Sequence, residues 1–184
     1  MAIPQGRFCH IGVPAFDPDE LVKFYHRWFG FVVSDIGIGK ADGARVIFAT
    51  GDPQEHHQIA FANLRREGDP GMQQISFRYK SLEDLCRLAK EFFWAGVPIL
   101  QQKDHGNTWS IYVSDPEGNR IECYTPTPWH VQQPTWWEID LINESVATIF
   151  ERTRAKAMAQ EGYLSRPEWM ATIEARIEAA LQAN

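Results

Sequence analysis

Apolar and polar positions along this 184-residue chain fall into a pattern that runs through the same order of elements twice. Residues 7–13 alternate in the manner of a half-buried strand. Asp17-Pro18-Asp19-Glu20 then opens a helix, with acidic side chains in the first turn, where the helix dipole favours them. Leu21, Phe24, Tyr25 and Trp28 recur at helical spacing, and Gly30 ends the run. Short strands are predicted near 31–37, 44–50 and 56–62, with Gly51-Asp52-Pro53 as the turn between the last two. After the polar link from Arg65 to Pro70 the order returns. A strand starts at Met72, and a helix follows from about Leu82 to Ala95, with Leu85, Leu88, Phe92 and Phe93 inward and Gly96 as terminator. Strands near 98–102, 108–113 and 119–125 complete the second pass.

The return is visible in the residues themselves. Phe8-Cys9-His10-Ile11-Gly12-Val13 comes back as Met72-Gln73-Gln74-Ile75-Ser76-Phe77, 64 residues on, and Asp52-Pro53 comes back as Asp115-Pro116, 63 residues on. An internal period of this kind predicts repeated supersecondary units. The expected fold is α+β: two tandem βαβββ modules, about 7–63 and 72–126, forming one curled mixed sheet in a domain spanning 1–126. The offsets equate His10 with Gln74 and Ile59 with Glu122. Residues 127–184 are a separate text. The run PTPWHVQQPTWW predicts an ordered strap lying on the domain. From about Glu138 the chain reads as helix, with a break at Glu161-Gly162-Tyr163. Ser165 and Glu168 have capping-box spacing ahead of Trp169, Ile173, Ile177 and Leu181. This helical extension is read as a cover for the sheet or for a partner subunit, so a homo-oligomer through the C-terminal helices is expected; a lid over a pocket is the other reading.

Composition narrows the partners. The net charge of −6 and pI near 5.5 argue against nucleic acid, whose binders carry a basic stripe. No run approaches the roughly 20 apolar residues of a spanning helix, so no membrane association is expected, and a small molecule is the expected partner. The opening MAIPQGRFCH lacks the basic and apolar segments of a secretory signal, and Cys9, Cys86 and Cys123 have no paired metal spacing. The expectation is a cytoplasmic protein with reduced thiols.

Alternation places His10 with Gly12, Gln74 with Ser76, and Arg120 with Glu122 and Tyr124 on common strand faces. A carboxylate between the apolar neighbours Ile121 and Cys123 needs a partner, because an unpaired buried charge costs several kcal/mol. The repeat puts His10, Gln74 and Glu122 in corresponding strand positions that a curled sheet would bring together on one metal ion.

These segments resemble a known family. CHIGVPAFDPDELVKFYHRWFGF, EHHQIAF, GMQQISF and HGNTWSIYVSDPEGNRIECY, followed by TPWHVQQP, resemble the vicinal-oxygen-chelate domain over residues 7–126, and within it the one-domain extradiol catechol dioxygenases. The resemblance implies a ring-cleaving enzyme that takes a small aromatic diol and dioxygen at a ferrous site of two histidines and one glutamate. His10 matches the first histidine and Glu122 the carboxylate, while Gln74 stands in the place of the second histidine. An amide is a neutral and weaker donor than imidazole, which leaves Fe(II) as the expected metal with Mn, Ni or Zn as alternatives. His57 matches a histidine that moves protons, with His57, Ile59 and Phe61 as the inner face. Tyr112 matches a tyrosine that hydrogen-bonds the bound diol, and His105 resembles a loop histidine upstream of it. The same fold hosts glyoxalase-like lyases and isomerases, whose fourth ligand would fall on Ile59, a side chain that cannot ligate metal. It also hosts catalytically silent small-molecule binding proteins.

Overall fold

The computed structural model describes residues 7–40 and 43–182. It resolves into two compact units, one holding the residues up to Gln74 with Ser114–Arg120, the other Ile75–Val113 with the residues from Ile121 on.

In the first unit β1 (Ile11–Pro14), α1 (Pro18–Phe29), β2 (Val32–Ile38), β3 (Arg45–Thr50) and β4 (Ile59–Ala62) build a sheet of order β1-β4-β3-β2. The helix forms where its signals stand. Asp17 caps it by accepting from the backbone N–H groups of Asp19 and Glu20, Pro18 follows at the first turn, and Gly30 closes it in the left-handed conformation at φ 71°. Leu21 and Tyr25 are fully buried, with the Tyr25 ring 5.0 Å from that of Phe61 on β4. Each such burial stabilises the unit by about 1.5–3 kcal/mol. The turn 114–120 belongs here. Glu117 accepts from the N–H groups of Phe16 (2.9 Å) and Asp17 (2.7 Å) and pairs with Arg65 at 3.4 Å. Both side chains of that ion pair are under a tenth exposed.

The second unit repeats the plan with β5 (Ile75–Arg78), α2 (Leu82–Trp94), β6 (Ile99–Asp104), β7 (Thr108–Ser114) and β8 (Arg120–Pro126). Beyond these lie β9 (Trp129–His130), β10 (Trp137–Glu138), α3 (Val146–Met158), β11 (Leu164–Ser165) and α4 (Arg166–Gln182). The sheet order is β10-β6-β7-β8-β5, and β9 pairs with β11. The strap is ordered: Trp129 packs edge-on to Trp109 and Phe150, tying it to β7 and α3. The extension is helical, and Ser165 and Glu168 make the reciprocal capping box that opens α4.

The fold is the expected α+β repeat with a C-terminal helical extension, and the ladders refine it. Strands hydrogen-bond in two sheets, one per module, because β1 lies parallel beside β4 and β5 parallel beside β8, so each module closes its ladder on itself. Register also corrects one equivalence. Ile11 pairs with Ile59 and Ile75 with Ile121, which makes Ala60, and not Ile59, the counterpart of Glu122. The burial phase agrees, since Ile59 and Ile121 are buried while Ala60 and Glu122 are not. Several elements are shorter than expected. The first strand of each module starts at Ile11 and Ile75, leaving His10 and Gln74 just ahead of it, and His57 lies in the turn before β4. Phe93 is 58% exposed, because α2 buries Leu82, Leu85, Cys86, Ala89 and Phe92, a stripe that leaves the next residue about 100° away. Residues 138–144 are not helical: Asp140 folds its own turn onto Ile142 and Asn143, and Ser145 is the true cap of α3.

Candidate functional site

In the second unit the site is built around one carboxylate. Glu122 sits on the half-open face of β8, between the buried Ile121 and Cys123, and needs donors there. It has them: Oε1 accepts from the Tyr112 hydroxyl and Oε2 from the Ser76 hydroxyl, both at 2.7 Å. Ser76 is the parallel ladder neighbour of Glu122, and Tyr112 comes from β7 and is 4% exposed. A carboxylate is an oxygen donor of the kind that divalent metals take.

The network runs on through Tyr112. Nε2 of His105 lies 3.0 Å from the Tyr112 oxygen, and Nδ1 lies 3.1 Å from the carbonyl oxygen of Thr135. A carbonyl can only accept, so Nδ1 carries a hydrogen. With the ring neutral, Nε2 is bare, and the single phenolic hydrogen is contested between Nε2 and the Glu122 carboxylate. The bond to the carboxylate is charge-assisted and is the stronger. Lys103 Nζ lies 5.6 Å from the Tyr112 ring centre and 4.8 Å from that of Trp136, against its aromatic faces.

The His105 loop is fixed from below. Asp104 is fully buried and accepts from Gly106 N–H (2.8 Å) and the Thr153 hydroxyl (2.7 Å), while Trp109 Nε1 donates to the same Thr153 at 2.7 Å. Burial pushes the Asp104 carboxyl above its usual value against the pull of those donors. Gly106 has φ +76°, and any side chain there would collide with Val131.

In the first unit two histidines meet. Ile11 N–H donates to the Gln58 carbonyl (3.0 Å) and Arg7 pairs with Glu55 (3.3 Å), holding 7–11 alongside 55–58. The His10 and His57 rings consequently lie 4.4 Å apart, centre to centre, at 43°. Nδ1 of His57 is 3.0 Å from Nδ1 of His56, whose Nε2 is 4.0 Å from Asp35. The His57 ring also lies edge-on to Phe48 at 4.9 Å. Burial first, then the neighbouring His10 and His56, lower the His57 pKa and favour its neutral form. Gln74 is exposed. Among the described residues no group of three or more His, Cys, Asp or Glu side chains is arranged to hold a metal.

The structure thus joins Glu122, Tyr112 and His105 in one unit and His10 with His57 in the other. Sequence reasoning missed Ser76 as a donor, Asp104 and Thr153 as the loop anchor, and Thr135, which acts through its backbone and leaves no side-chain signal. Ser76 was open to discovery through the parallel β5 and β8 register.

Residues 7–123 match the model of the Glyoxalase/Bleomycin resistance protein/Dioxygenase superfamily. A biphenyl-2,3-diol 1,2-dioxygenase of Rhodococcus globerulus is 30% identical over 87 residues, 44% of this chain and 45% of that protein, so the match spans less than half the length of the relative. Among solved structures, a glyoxylase/bleomycin resistance protein/dioxygenase domain from Frankia sp. EAN1pec aligns with TM-score 0.56 at 17% identity, covering 67% of this chain and 94% of that one. A fosfomycin resistance protein of Listeria monocytogenes, solved with Mn(II), gives 0.54 at 17% over 68% and 95%, and a glyoxalase I of Leishmania major gives 0.52 at 18% over 84% and 96%. These likenesses concern the fold. With more than half its length matched by the family model and the repeated modules in place, the chain belongs to the Glyoxalase/Bleomycin resistance protein/Dioxygenase superfamily.

Proposed function

We propose that the chain is a metal-dependent extradiol-type dioxygenase that cleaves the ring of a small catecholic aromatic. The observation that carries this reading is the chain of hydrogen bonds from Ser76 through Glu122 and Tyr112 to His105. It pairs a carboxylate able to ligate a divalent metal with a phenol and an imidazole able to handle the protons of a diol. The likeness to a biphenyl-diol dioxygenase points the same way.

Members of the superfamily typically bind a divalent metal, and the ligands we propose for it are those that the sequence pattern names. His10 offers an imidazole, Glu122 a carboxylate, and the expected third position falls on Gln74, an amide oxygen. Fe(II) is the proposed metal, and it would supply the binding of diol and dioxygen and the electron transfer between them. The chain's own groups do the rest. Tyr112 Oη, held at Glu122, offers its hydrogen to a substrate oxygen brought to that carboxylate. His105 Nε2, bare when the ring is neutral, takes up a proton released by the diol, while the Thr135 carbonyl keeps Nδ1 protonated and the ring oriented. Both oxygen atoms of dioxygen end in the ring-opened product, so no external reductant is needed.

One observation favours a second reading. Gln74 at the ligand position suits a redox-inert metal, as in a glyoxalase-like lyase or isomerase. The test is to load the protein anaerobically with Fe(II) and admit oxygen with catechol or 2,3-dihydroxybiphenyl. One dioxygen consumed per diol, with a yellow ring-opened product, is the expected result. Nickel or zinc in the purified protein with isomerase activity and no oxygen uptake would replace it with the second reading. Diol binding without turnover would reduce the protein to a binding module.

A further inference from the structure

We propose that Lys103 selects diols carrying an acidic group, so that the ligand of this site is a catechol with a carboxylate on its ring or on a short side chain. The inference rests on the diol reading above and adds which diol the site takes. Every residue it uses lies in the second unit.

Lys103 stands on β6 directly across from Glu138 of β10. Side chains in that relation share a face of the ladder, where opposite charges are close enough to pair. These two do not: among the described residues Lys103 makes no ion pair with Glu138 or with any other carboxylate. A lysine left to itself lays its stem on the protein and keeps its ammonium in water. Here the ammonium lies against two aromatic rings, 4.8 Å from the centre of Trp136 and 5.6 Å from that of Tyr112. Its charge is thereby held beside the phenol that bonds Glu122 at 2.7 Å, with no anion to neutralise it.

The surroundings suit a flat, acidic ligand. Lys103 is half-buried and Trp136 is 52% exposed, so a positive charge and open aromatic surface stand side by side. A cavity of about 310 Å³, within the size range of small-molecule pockets, is lined by both together with Leu100 and Gln101. Glu138 lines it too, but that side chain is exposed and water screens its charge. A diol brought to Tyr112 and Glu122 has its ring beside Lys103, and a carboxylate on that ring reaches an ammonium already stripped of part of its hydration by the two rings.

Calorimetric titration of the full chain, loaded anaerobically with Fe(II) and freed of unbound metal, tests the assignment. Catechol is compared with 3,4-dihydroxybenzoate and 3,4-dihydroxyphenylacetate near pH 7, where both carboxylates are ionised. At least one acid should bind the wild type about 10-fold more tightly than catechol, the scale of one hydrogen bond to a charged group. In Lys103→Met that preference should shrink to within about threefold, while Lys103→Arg, which keeps the charge, retains most of it and catechol binds all three proteins alike. Neither acid outbinding catechol in the wild type, or a preference that survives Lys103→Met, would overturn the inference and leave the diol reading standing. A wild-type protein that binds none of the three diols would overturn both.

Discussion

The Tyr112 hydroxyl and the Glu122 carboxylate face each other at 2.7 Å, and the same hydroxyl lies 3.0 Å from His105. One phenolic hydrogen therefore answers to two acceptors. Tyr112→Phe removes it and leaves the ring in place. Turnover on a catechol should fall by about 10–100-fold, at or below the lower end of what general acid/base groups contribute. Metal content should stay within a factor of about three. Steady-state kinetics with metal analysis checks both, and full turnover in the variant would take Tyr112 out of the mechanism.

His105 should be the more sensitive position. His105→Phe deletes the proposed proton acceptor while keeping a ring, and turnover should drop by about 10²–10⁴-fold. His105→Asn retains a polar group near Thr135 but cannot titrate, so it should be equally slow. Recovery of activity in the asparagine variant would show that orientation, and not proton transfer, is what this residue supplies.

The buried pair Arg65 and Glu117 makes a stability prediction. Glu117→Ala leaves the Arg65 guanidinium, which also donates to the Glu117 carbonyl at 2.8 Å, without its carboxylate in a site under a tenth exposed. It also strips acceptors from the N–H groups of Phe16 and Asp17 at the start of α1. The expected cost is about 3–5 kcal/mol, read from the denaturant midpoint. A loss below about 1 kcal/mol would mean that water replaces the carboxylate.

A pH dependence follows from His130, whose ring stacks on Trp169 of α4 at 5.0 Å and 17°. Burial, then the Arg166 charge, lower its pKa below the usual value. For a depressed pKa the stability contribution is present above the unfolded value, about 6.5, and is lost as pH falls through the folded one. Unfolding measured between about pH 7.5 and 5 should show the wild type losing more stability than His130→Asn. Parallel pH profiles for the two proteins would rule out this linkage.

Much of the architecture was readable in the sequence because local chemistry announces itself. Asp17, Pro18 and Gly30 delimit α1, and Ser165 and Glu168 cap α4, each by bonds to adjacent backbone. Glu122 could be singled out by its apolar neighbours. The pairing of Glu122 with Ser76 was less accessible, since it depends on ladder register, and a 63-residue offset assigned Ile59 where the strands align Ala60. The position of His57 against His10 depends on a turn whose course is set by Thr50, Asp52 and Gln58 bonding to backbone groups around it. Thr135 was invisible, because any residue with a carbonyl could serve.

That anonymity has an evolutionary consequence. The strap between Val131 and Trp136 lies outside the 7–123 stretch that defines the family, yet it supplies the carbonyl that fixes the His105 tautomer, and its Gln133 amide donates to the His105 carbonyl at 2.8 Å. A change of almost any side chain at position 135 would leave that bond intact, while shortening the strap by a residue would break it. Divergence in this lineage should therefore be free in spelling but strict in length across the strap, and a comparison of relatives by gaps will track the chemistry of His105 better than a comparison by identities.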